Sequence, residues 1–423
     1  MLDIRLFREK IELVRESLKK RGLDPSLADK VVELDKEWRE TRVLADKLRH
    51  KKNEISLEIA KLKKEGKDFS KKIDEMKEIG EKLKAVEAKE KKLLEERDRL
   101  RRGMPNILHE TVPIGKDESE NVEVRRWGEP KKPEFELKTH WKLLEELGQV
   151  NFEKAREASG RGFYYLMREF AILDLALQRF VVDKLISKGF TFVVPPFMTR
   201  RIVEEGATQL SDFEEVIYKV EDEDLYLIPT SEHPLLALHM NEVIHEDDLP
   251  KRYVGLSPCF RKEAGTHSVD EKGLFRVHQF AKVEQVSLTR PEDSWKEHEF
   301  LLSNLEEVFQ DLGIPYRIVN ICTGDLGAVA AKKYDLEAWF PKQGKYREAG
   351  SCSNCLSWQS TRLNIRVERK DGTREFLHTL NSTAVATSRA LVAIVENYQN
   401  EDGTITIPKI LRSYTGFDEI PME

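Results

Sequence analysis

The sequence has little of what would indicate an extracellular or membrane protein. Its 423 residues include only four cysteines, too few for a disulfide scaffold in a chain of this length. No apolar run is long enough to cross a bilayer, and the first residues are amphipathic and charged rather than a signal peptide. These absences favour a reducing, cytoplasmic location and exclude a membrane partner.

Common nucleotide and metal motifs are also missing. The sequence contains neither the GxxxxGK[ST] loop of P-loop proteins nor the GxGxxG fingerprint of dinucleotide-binding folds. Cys352 and Cys355 form one CxxC, but no second cysteine or histidine pair completes the set, so no structural zinc is expected. The net charge of −6 argues against a general polyanion-binding surface.

The N-terminal part of the sequence, residues 1–102, contains long helical patterns. A first helix is predicted over residues 1–22, and a second begins near Ser26 and keeps a 3-4 spacing for more than four heptads. Its seam consists of Val31, Leu34, Trp38, Thr41, Ala45, Leu48, Lys52, Ile55, Ile59 and Leu62. A turn at residues 65–68 precedes a returning helix over 71–102, with Ser70 as its candidate N-cap. The pattern predicts an antiparallel two-helix coiled coil.

The charge of this hairpin differs from that of the remaining chain. Residues 31–102 carry 23 Lys and Arg against 18 Asp and Glu, a net charge of +5, which leaves −11 for the remainder. A basic arm is suited to bind the phosphate backbone of a nucleic acid. Contacts of that kind provide affinity but do not recognise the nucleotide sequence. A simple dimerisation rod is the alternative interpretation.

The remaining sequence predicts a linker and an α+β domain. Residues 109–135 are rich in proline and glycine and are predicted to be the linker, followed by a domain over 136–423. Helices are predicted over 138–151, 168–188, 292–312 and 390–397, and strands over 190–195, 225–228, 316–321, 361–367 and 375–380.

The densest cluster of candidate functional side chains lies in segment 260–284. Its alternating residues predict two β-strands joined by a polar loop over 265–273. Because residues two apart on a strand share a face, Arg261 and Glu263 are predicted to project together from the first strand. The second strand is predicted to present Arg276, Phe280 and Glu284 on one face.

This set of side chains suits a particular kind of ligand. Arginine binds phosphate bidentately, a carboxylate accepts an ammonium group, and an aromatic ring offers a stacking surface for a base. A surface hairpin with salt-bridged charges is the alternative.

The residue pattern of segment 260–284 indicates a function more specifically than the chemistry of its side chains does. FRxEAG, a loop and RxHQFxKVE resemble motif 2 of the class II aminoacyl-tRNA synthetases, and the seryl-tRNA synthetase family in particular. The helix that ends at Gly189, followed by a strand and Pro196, resembles motif 1, which packs against its twin in a homodimer. The segment 381–389 resembles motif 3, although the glycines common in that motif are absent.

The resemblance implies a fold and an activity. The fold is α+β: an N-terminal helical domain over 1–108, with a coiled-coil arm at about 28–102, and a class II catalytic domain built on an antiparallel β-sheet flanked by helices. The implied reaction is ATP-dependent activation of L-serine, followed by transfer of the seryl group to the 3′-end of tRNA(Ser), with tRNA(Sec) as a further candidate. The arm is implied to bind the long variable arm of the tRNA.

The resemblance also assigns residues. The implied ATP site consists of Arg261, Lys262, Glu263, Arg276, Val277, Phe280, Glu348, Ser351 and Arg389. The implied serine site consists of Thr230, Glu232, Arg261, Glu284, Asn381 and Thr383. Arg261, Arg276 and Arg389 are the expected catalytic residues, and Glu348 and Ser351 are expected to hold the Mg²⁺ that accompanies ATP.

Two alternative functions stay open at this stage. One is a synthetase-derived ligase that charges a carrier protein, which the predicted arm argues against. The other is a non-catalytic RNA-binding paralogue, which the filled motif positions argue against. The HIGH and KMSKS elements of the other synthetase class are absent.

Overall fold

The computed structural model describes residues 1–130, 132–209, 216–263 and 273–422. They form two compact units that meet in sequence between residues 107 and 108.

The N-terminal unit is helical. Its helices are α1 (Ile4–Glu9), α2 (Ile11–Lys20), α3 (Ser26–Lys64) and α4 (Ser70–Gly103). The predicted first helix is interrupted at Lys10, whose φ of −138° is not helical. The α4 N-terminus also differs in detail, because the Asp68 carboxylate accepts the Ser70 backbone N–H at 2.9 Å, so Ser70 is not itself the cap.

Helices α3 and α4 form the predicted antiparallel hairpin. Ion pairs link opposite positions along its length, with Lys89 Nζ 2.6 Å from Glu37 and Lys72 Nζ 2.7 Å from Glu58. Apolar or small seam residues such as Val31, Ala45 and Ile55 are buried between the helices. The coiled-coil prediction is confirmed.

A buried charge at the base of the hairpin was not predicted. Asp35 is 1% exposed, and its carboxylate accepts hydrogen bonds from Arg8 and from Arg97 of α4, each at 2.8 Å. The Arg97 guanidinium also lies 4.8 Å from the centre of the Trp38 ring. A buried carboxylate needs such partners. This cluster therefore joins α1, α3 and α4.

The C-terminal unit is an α+β domain. Its helices are α5 (His140–Glu146), α6 (Phe152–Ser159), α7 (Arg168–Ser187), α8 (Arg201–Ala207), α9 (Glu232–Ala237), α10 (Ser294–Asp311), α11 (Trp358–Leu363), α12 (Thr387–Tyr398) and α13 (Arg412–Thr415). Its strands are β1 (Val122–Trp127), β2 (Val150–Asn151), β3 (Tyr165–Leu166), β4 (Thr191–Val193), β5 (Met198–Thr199), β6 (Tyr226–Leu227), β7 (Val243–His245), β8 (Lys251–Phe260), β9 (Gln279–Thr289), β10 (Tyr316–Asn320), β11 (Lys332–Phe340), β12 (Lys345–Asn354), β13 (Arg366–Glu368), β14 (Arg374–Phe376), β15 (His378–Ala386), β16 (Ile405–Thr406) and β17 (Glu419–Ile420).

One large sheet organises this unit. Its strand order is β1-β10-β11-β12-β15-β9-β8-β4, and neighbours are antiparallel except for the β4–β8 pair. Helices α7, α10 and α12 cover it with buried side chains such as Leu177, Leu305 and Val392. On α7, buried residues recur at 3-4 spacing because that helix face meets the core. The predicted antiparallel sheet flanked by helices is confirmed.

Two predicted segments differ from the structure. Part of the predicted linker, Val122–Trp127, is strand β1, which pairs with β10 at the edge of the sheet. The predicted strand 361–367 begins instead as helix α11, and only Arg366–Glu368 is extended. Asn364 adopts a left-handed φ of 54° at the end of α11, so helix and strand are joined by a sharp turn. Within the described residues, no helix has the length and apolar character needed to cross a membrane.

Candidate active site

Strands β8 and β9 lie beside the site, and the segment that joins them is longer than predicted. Strand β8 ends at Phe260, so Arg261 and Glu263 lie beyond it, and Glu263 has a φ of 45° that a strand cannot contain. Arg276 precedes β9, which begins at Gln279. The predicted strand positions of these three residues are therefore wrong. Residues 265–272 of the predicted loop lie outside the described residues.

The side chains nevertheless meet around one open cavity. The sequence-predicted residues that line it are Arg261, Glu263, Arg276, Val277, Phe280, Glu348, Ser351, Thr383 and Arg389. Strands β8, β9, β15 and β12 are neighbours in the sheet, which brings these distant sequence segments together. Lys262 is not part of the described lining, and its backbone N–H donates to the Val216 carbonyl at 2.9 Å.

Phe280 gives the cavity its aromatic surface. Its ring packs with Cys259, Val277 and Ala386 and is 8% exposed. The guanidinium carbon of Arg261 lies 5.3 Å from the ring centre, within the range of a cation–π contact. Arg276 Nε lies 2.9 Å from a Glu263 carboxylate oxygen. A flat ring and paired charges therefore face the same space.

Charges of opposite sign meet on the β12 side of the cavity. Arg389 Nη1 lies 3.0 Å from the Glu348 carboxylate and also donates to the Glu348 carbonyl at 3.0 Å. Burial alone would raise the pKa of Glu348. The positive charges of Arg389 and Lys333 outweigh that effect and lower this pKa to about 2. The Glu348 side chain is still 45% exposed, which limits the effect of burial. Glu348 is therefore an ionised carboxylate open to the cavity.

A second group of polar residues lies next to the cavity. Glu284 is 1% exposed, with Lys282 Nζ at 2.6 Å and the Thr383 hydroxyl donating to it at 3.4 Å. Burial raises the pKa of Glu284, and Lys282 partly offsets that effect. Lys282 and Thr383 line the cavity, so Glu284 is one contact removed from its wall.

Glu232 and Asn381 extend this group toward helix α9. Asn381 Nδ2 donates to Glu232 Oε1 at 3.0 Å. Thr230, which is 6% exposed, accepts the Glu232 backbone N–H at 3.3 Å. The segment packs closely on β8 because residue 255 is glycine, where a Cβ would lie 2.6 Å from the Ser231 hydroxyl. Arg261 Nε, 3.3 Å from the Pro229 carbonyl, connects this group with the cavity.

Six lining residues were not predicted as site residues, and Phe275 and Lys282 are the two of them with an aromatic or charged side chain. The ring of Phe275 lies between two guanidinium groups, 4.1 Å from the Arg347 carbon and 5.3 Å from that of Arg389. Lys282 shares the strand face of Phe280 and Glu284, so the alternation that predicted those two also indicated Lys282. No comparable pattern in the sequence indicated Phe275.

A second, wider cavity adjoins the first and shares Phe275, Arg276, Glu348 and Arg389 with it. Its lining includes the buried Asp335 and the half-buried Lys333, whose charged atoms are 3.2 Å apart. Burial raises the pKa of Asp335 to about 7, and Lys333 opposes that rise. The wall shared by the two cavities carries charges of both signs, from Arg276 and Arg389 on one side and Glu348 on the other.

The fold and site together define a class II aminoacyl-tRNA synthetase core. The family model described as "tRNA synthetase class II core domain (G, H, P, S and T)" matches residues 218–398, a range that includes every residue lining the cavity. A second model, "Seryl-tRNA synthetase N-terminal domain", matches residues 1–108.

Full-length relatives are more specific. The chain is 53% identical to the serine–tRNA ligase of Pyrococcus horikoshii, with 100% of this chain and 98% of the relative covered, and 54% identical to that of Methanoculleus marisnigri, with 98% of each covered. A crystal structure of the Pyrococcus horikoshii seryl-tRNA synthetase complexed with ATP superimposes with a TM-score of 0.94 over 100% of both chains, at 53% identity. The cytoplasmic enzyme of Naegleria fowleri in complex with AMP gives a TM-score of 0.90 at 37% identity over 100% of this chain and 99% of that one.

The chain belongs to the seryl-tRNA synthetase family. It is a ligase, and the reaction is ATP-dependent activation of L-serine followed by transfer of the seryl group to tRNA.

Proposed function

We propose that the open cavity of the candidate active site is where ATP and L-serine react. The observation that carries this assignment is the convergence of Arg261, Phe280, Glu348 and Arg389 on one space. Adenine would stack on Phe280, with Glu263 and Val277 beside it. Arg276 and Arg389 would contact the outer phosphates, because guanidinium groups bind phosphate oxygens bidentately.

In this proposal the first step depends on positioning and charge. The serine carboxylate attacks the α-phosphorus, a P–O bond to that carboxylate forms, and the bond to pyrophosphate breaks. Arg261 would contact both the carboxylate and the α-phosphate, since its side chain lies between Pro229 and the Phe280 ring. Fixed positive groups lower such a barrier because they stabilise developing charge without reorganising.

The chemistry of two lining residues fits Mg²⁺. Glu348 offers an ionised carboxylate and Ser351 a hydroxyl, and both line the cavity. Oxygen donors of this kind are the ligands that magnesium prefers beside substrate phosphates. The ion would neutralise phosphate charge and orient the leaving group. Lys262 is not among the residues that line the cavity, which makes it the weakest member of the proposed ATP site.

The serine pocket is proposed to lie among Thr230, Glu232, Glu284, Asn381 and Thr383. Carboxylates suit the ammonium group, and the buried Thr383–Glu284 pair offers hydrogen bonds for a hydroxyl. Alanine would leave these polar groups unpaired, and leaving such groups unpaired is costly.

The α3–α4 hairpin is proposed to bind tRNA(Ser), with tRNA(Sec) as a second candidate substrate. Its net charge of +5 supports contact with a phosphate backbone. The four cysteines are all free and buried, which supports a reducing compartment such as the cytoplasm.

A homodimer through the motif 1 region is also proposed. Helix α7 and the chain after it expose several large apolar side chains: Ile172, Leu175, Ile186, Phe192, Val194 and Phe197. Monomeric proteins rarely leave an apolar patch of this kind uncovered.

The test is ATP–pyrophosphate exchange with single amino acids. We expect exchange that depends on serine and is much weaker with alanine or threonine. Exchange driven best by another amino acid, or none with any, would contradict the proposal. A carrier-protein ligase would show serine-dependent exchange but no transfer to tRNA, so a charging assay with tRNA(Ser) separates the two functions.

A further inference from the structure

The two carboxylate oxygens of Glu232 have different surroundings. Oε1 accepts two amide hydrogen bonds, one from Gln359 Nε2 at 2.6 Å and one from Asn381 Nδ2 at 3.0 Å. Oε2 has no hydrogen-bond donor within the described part of the chain. Glu232 is itself half-buried, at the start of α9. One oxygen is thus held by the protein while the other is left for a ligand.

Gln359 is held more firmly than the carboxylate it binds. It is 1% exposed on helix α11, and its Nε2 also donates to the Ala207 carbonyl at 2.9 Å. Its Oε1 accepts the Thr379 hydroxyl at 2.6 Å. Both amide hydrogens and the amide oxygen are therefore used. With the amide of Gln359 reversed, its oxygen would face two acceptors, the Ala207 carbonyl and Glu232 Oε1. The amide nitrogen must therefore be the atom that points toward Glu232.

We propose that Gln359 is a positioning residue of the amino-acid pocket. By holding Oε1, it directs Oε2 of Glu232 to the polar group of serine that this carboxylate binds, and Thr379 in turn fixes Gln359. The inference rests on the proposed serine pocket. It adds a residue that would not touch substrate and whose loss should affect serine binding more than ATP binding.

The first test measures KM for both substrates in ATP–pyrophosphate exchange. Gln359→Leu keeps the volume and removes the donor, so we expect the serine KM to rise about 10- to 100-fold, the range for a hydrogen bond to a charged group. The ATP KM of Gln359→Leu should stay within about twofold of the wild-type value. Thr379→Val should also raise the serine KM, but by a smaller factor than Gln359→Leu. Gln310→Leu is the matched control, because Gln310 donates to the Tyr316 hydroxyl at 2.7 Å, away from the pocket.

A second variant separates positioning from a merely structural effect. Gln359→Glu places a carboxyl group beside Glu232, so the serine KM should be high at neutral pH. It should fall toward the wild-type value as the pH decreases, because a protonated carboxyl can again donate to Oε1. A packing defect would give no such pH dependence.

Three outcomes would overturn the inference. They are a serine KM within about twofold of wild type in Gln359→Leu, an equal rise in the serine and ATP KM, and a pH-independent KM in Gln359→Glu. Failure of the proposed function itself is distinguishable, because it would already appear as absent serine dependence in the wild-type protein and would remove this inference with it.

Discussion

At the scale of single residues, the site combines one aromatic ring with charges that compensate each other. Arg261 lies over Phe280, Arg276 pairs with Glu263, and Arg389 pairs with Glu348. Each arginine keeps a fixed direction because a carboxylate, carbonyl or ring holds it. Such prior organisation is what makes a charged group effective in a transition state.

Arg261→Ala tests the residue that the proposal places at the reacting phosphorus. We expect serine-dependent exchange to fall by about 10²- to 10³-fold or more, the usual effect of removing one such donor. Arg290→Ala is the control, because Arg290 pairs at the surface with Asp293 at 2.6 Å and should keep exchange within about twofold. Near-normal exchange in Arg261→Ala would refute its role.

Residue identities were more predictable than residue positions. The motif strings named nine of the lining residues, because the chemistry of phosphate, base and metal restricts the choice of side chain. Backbone geometry was not predictable: the left-handed φ of Glu263 ends the alternation that suggested a longer strand. Gln359 could not be foreseen, since its role depends on contacts with Ala207 and Glu232, far away in sequence.

At the scale of elements, helix α7 carries a half-buried acid, Asp174. Burial raises the pKa of Asp174 to about 6, against the lowering effect of Thr387 and Gln178. Its Oδ1 is buried without a hydrogen-bond partner, whereas Oδ2 accepts from Gln178 at 2.8 Å. Folding therefore favours the protonated form of Asp174 more than the unfolded chain does.

Asp174→Asn should make the domain more stable at neutral pH. A folded pKa above the unfolded value of about 3.9 means that the contribution of Asp174 is fully present below pH 4 and is lost as the pH rises through 6. We expect a gain of about 1–3 kcal/mol in unfolding free energy at pH 7.5, and no gain near pH 4, in denaturant titrations.

Asp183→Asn on the same helix is the control for that experiment. Asp183 pairs with Arg179 at the surface, so its effect should stay within about 0.5 kcal/mol at both pH values. A destabilised Asp174→Asn at pH 7.5 would contradict the assignment.

The α3–α4 hairpin allows its function to be separated from its fold. Replacing residues 46–84 by a short glycine-rich turn keeps Asp35, Arg8 and Arg97, and so keeps the buried cluster at the base. We expect serine-dependent exchange to stay within about twofold and tRNA charging to fall by at least about 10²-fold, because phosphate contacts supply most of the affinity. Equal loss of both activities would show that the arm is needed for the fold.

Elements differed in how well the sequence indicated them. The heptads of α3 extend over many turns, so their period was unambiguous. Strand β1 has only six residues, all exposed, between proline- and glycine-rich segments, and it exists because β10 provides a partner. Helix α11 has six residues that contact α8 and β15, so tertiary contacts rather than local preference decide its conformation.

At the scale of the whole molecule, the proposed dimer depends on an apolar surface of the catalytic unit. Leu175 is 65% exposed on α7, and Leu175→Asp should shift the sedimentation coefficient from dimer toward monomer. Leu57→Asp, at an equally exposed leucine of α3, should leave the dimer intact. A wild-type monomer, or a Leu175→Asp dimer of unchanged affinity, would contradict the proposed interface.

The central claim is that one cavity holds adenine, phosphate and serine together. The most direct test is a crystal structure of the protein with a non-hydrolysable seryl-adenylate analogue. The account predicts the adenine on Phe280, the phosphate mimic beside Arg261, and the seryl ammonium or hydroxyl within hydrogen-bond distance of Glu232 or Glu284. An analogue bound elsewhere, or with its seryl group directed away from both carboxylates, would contradict it.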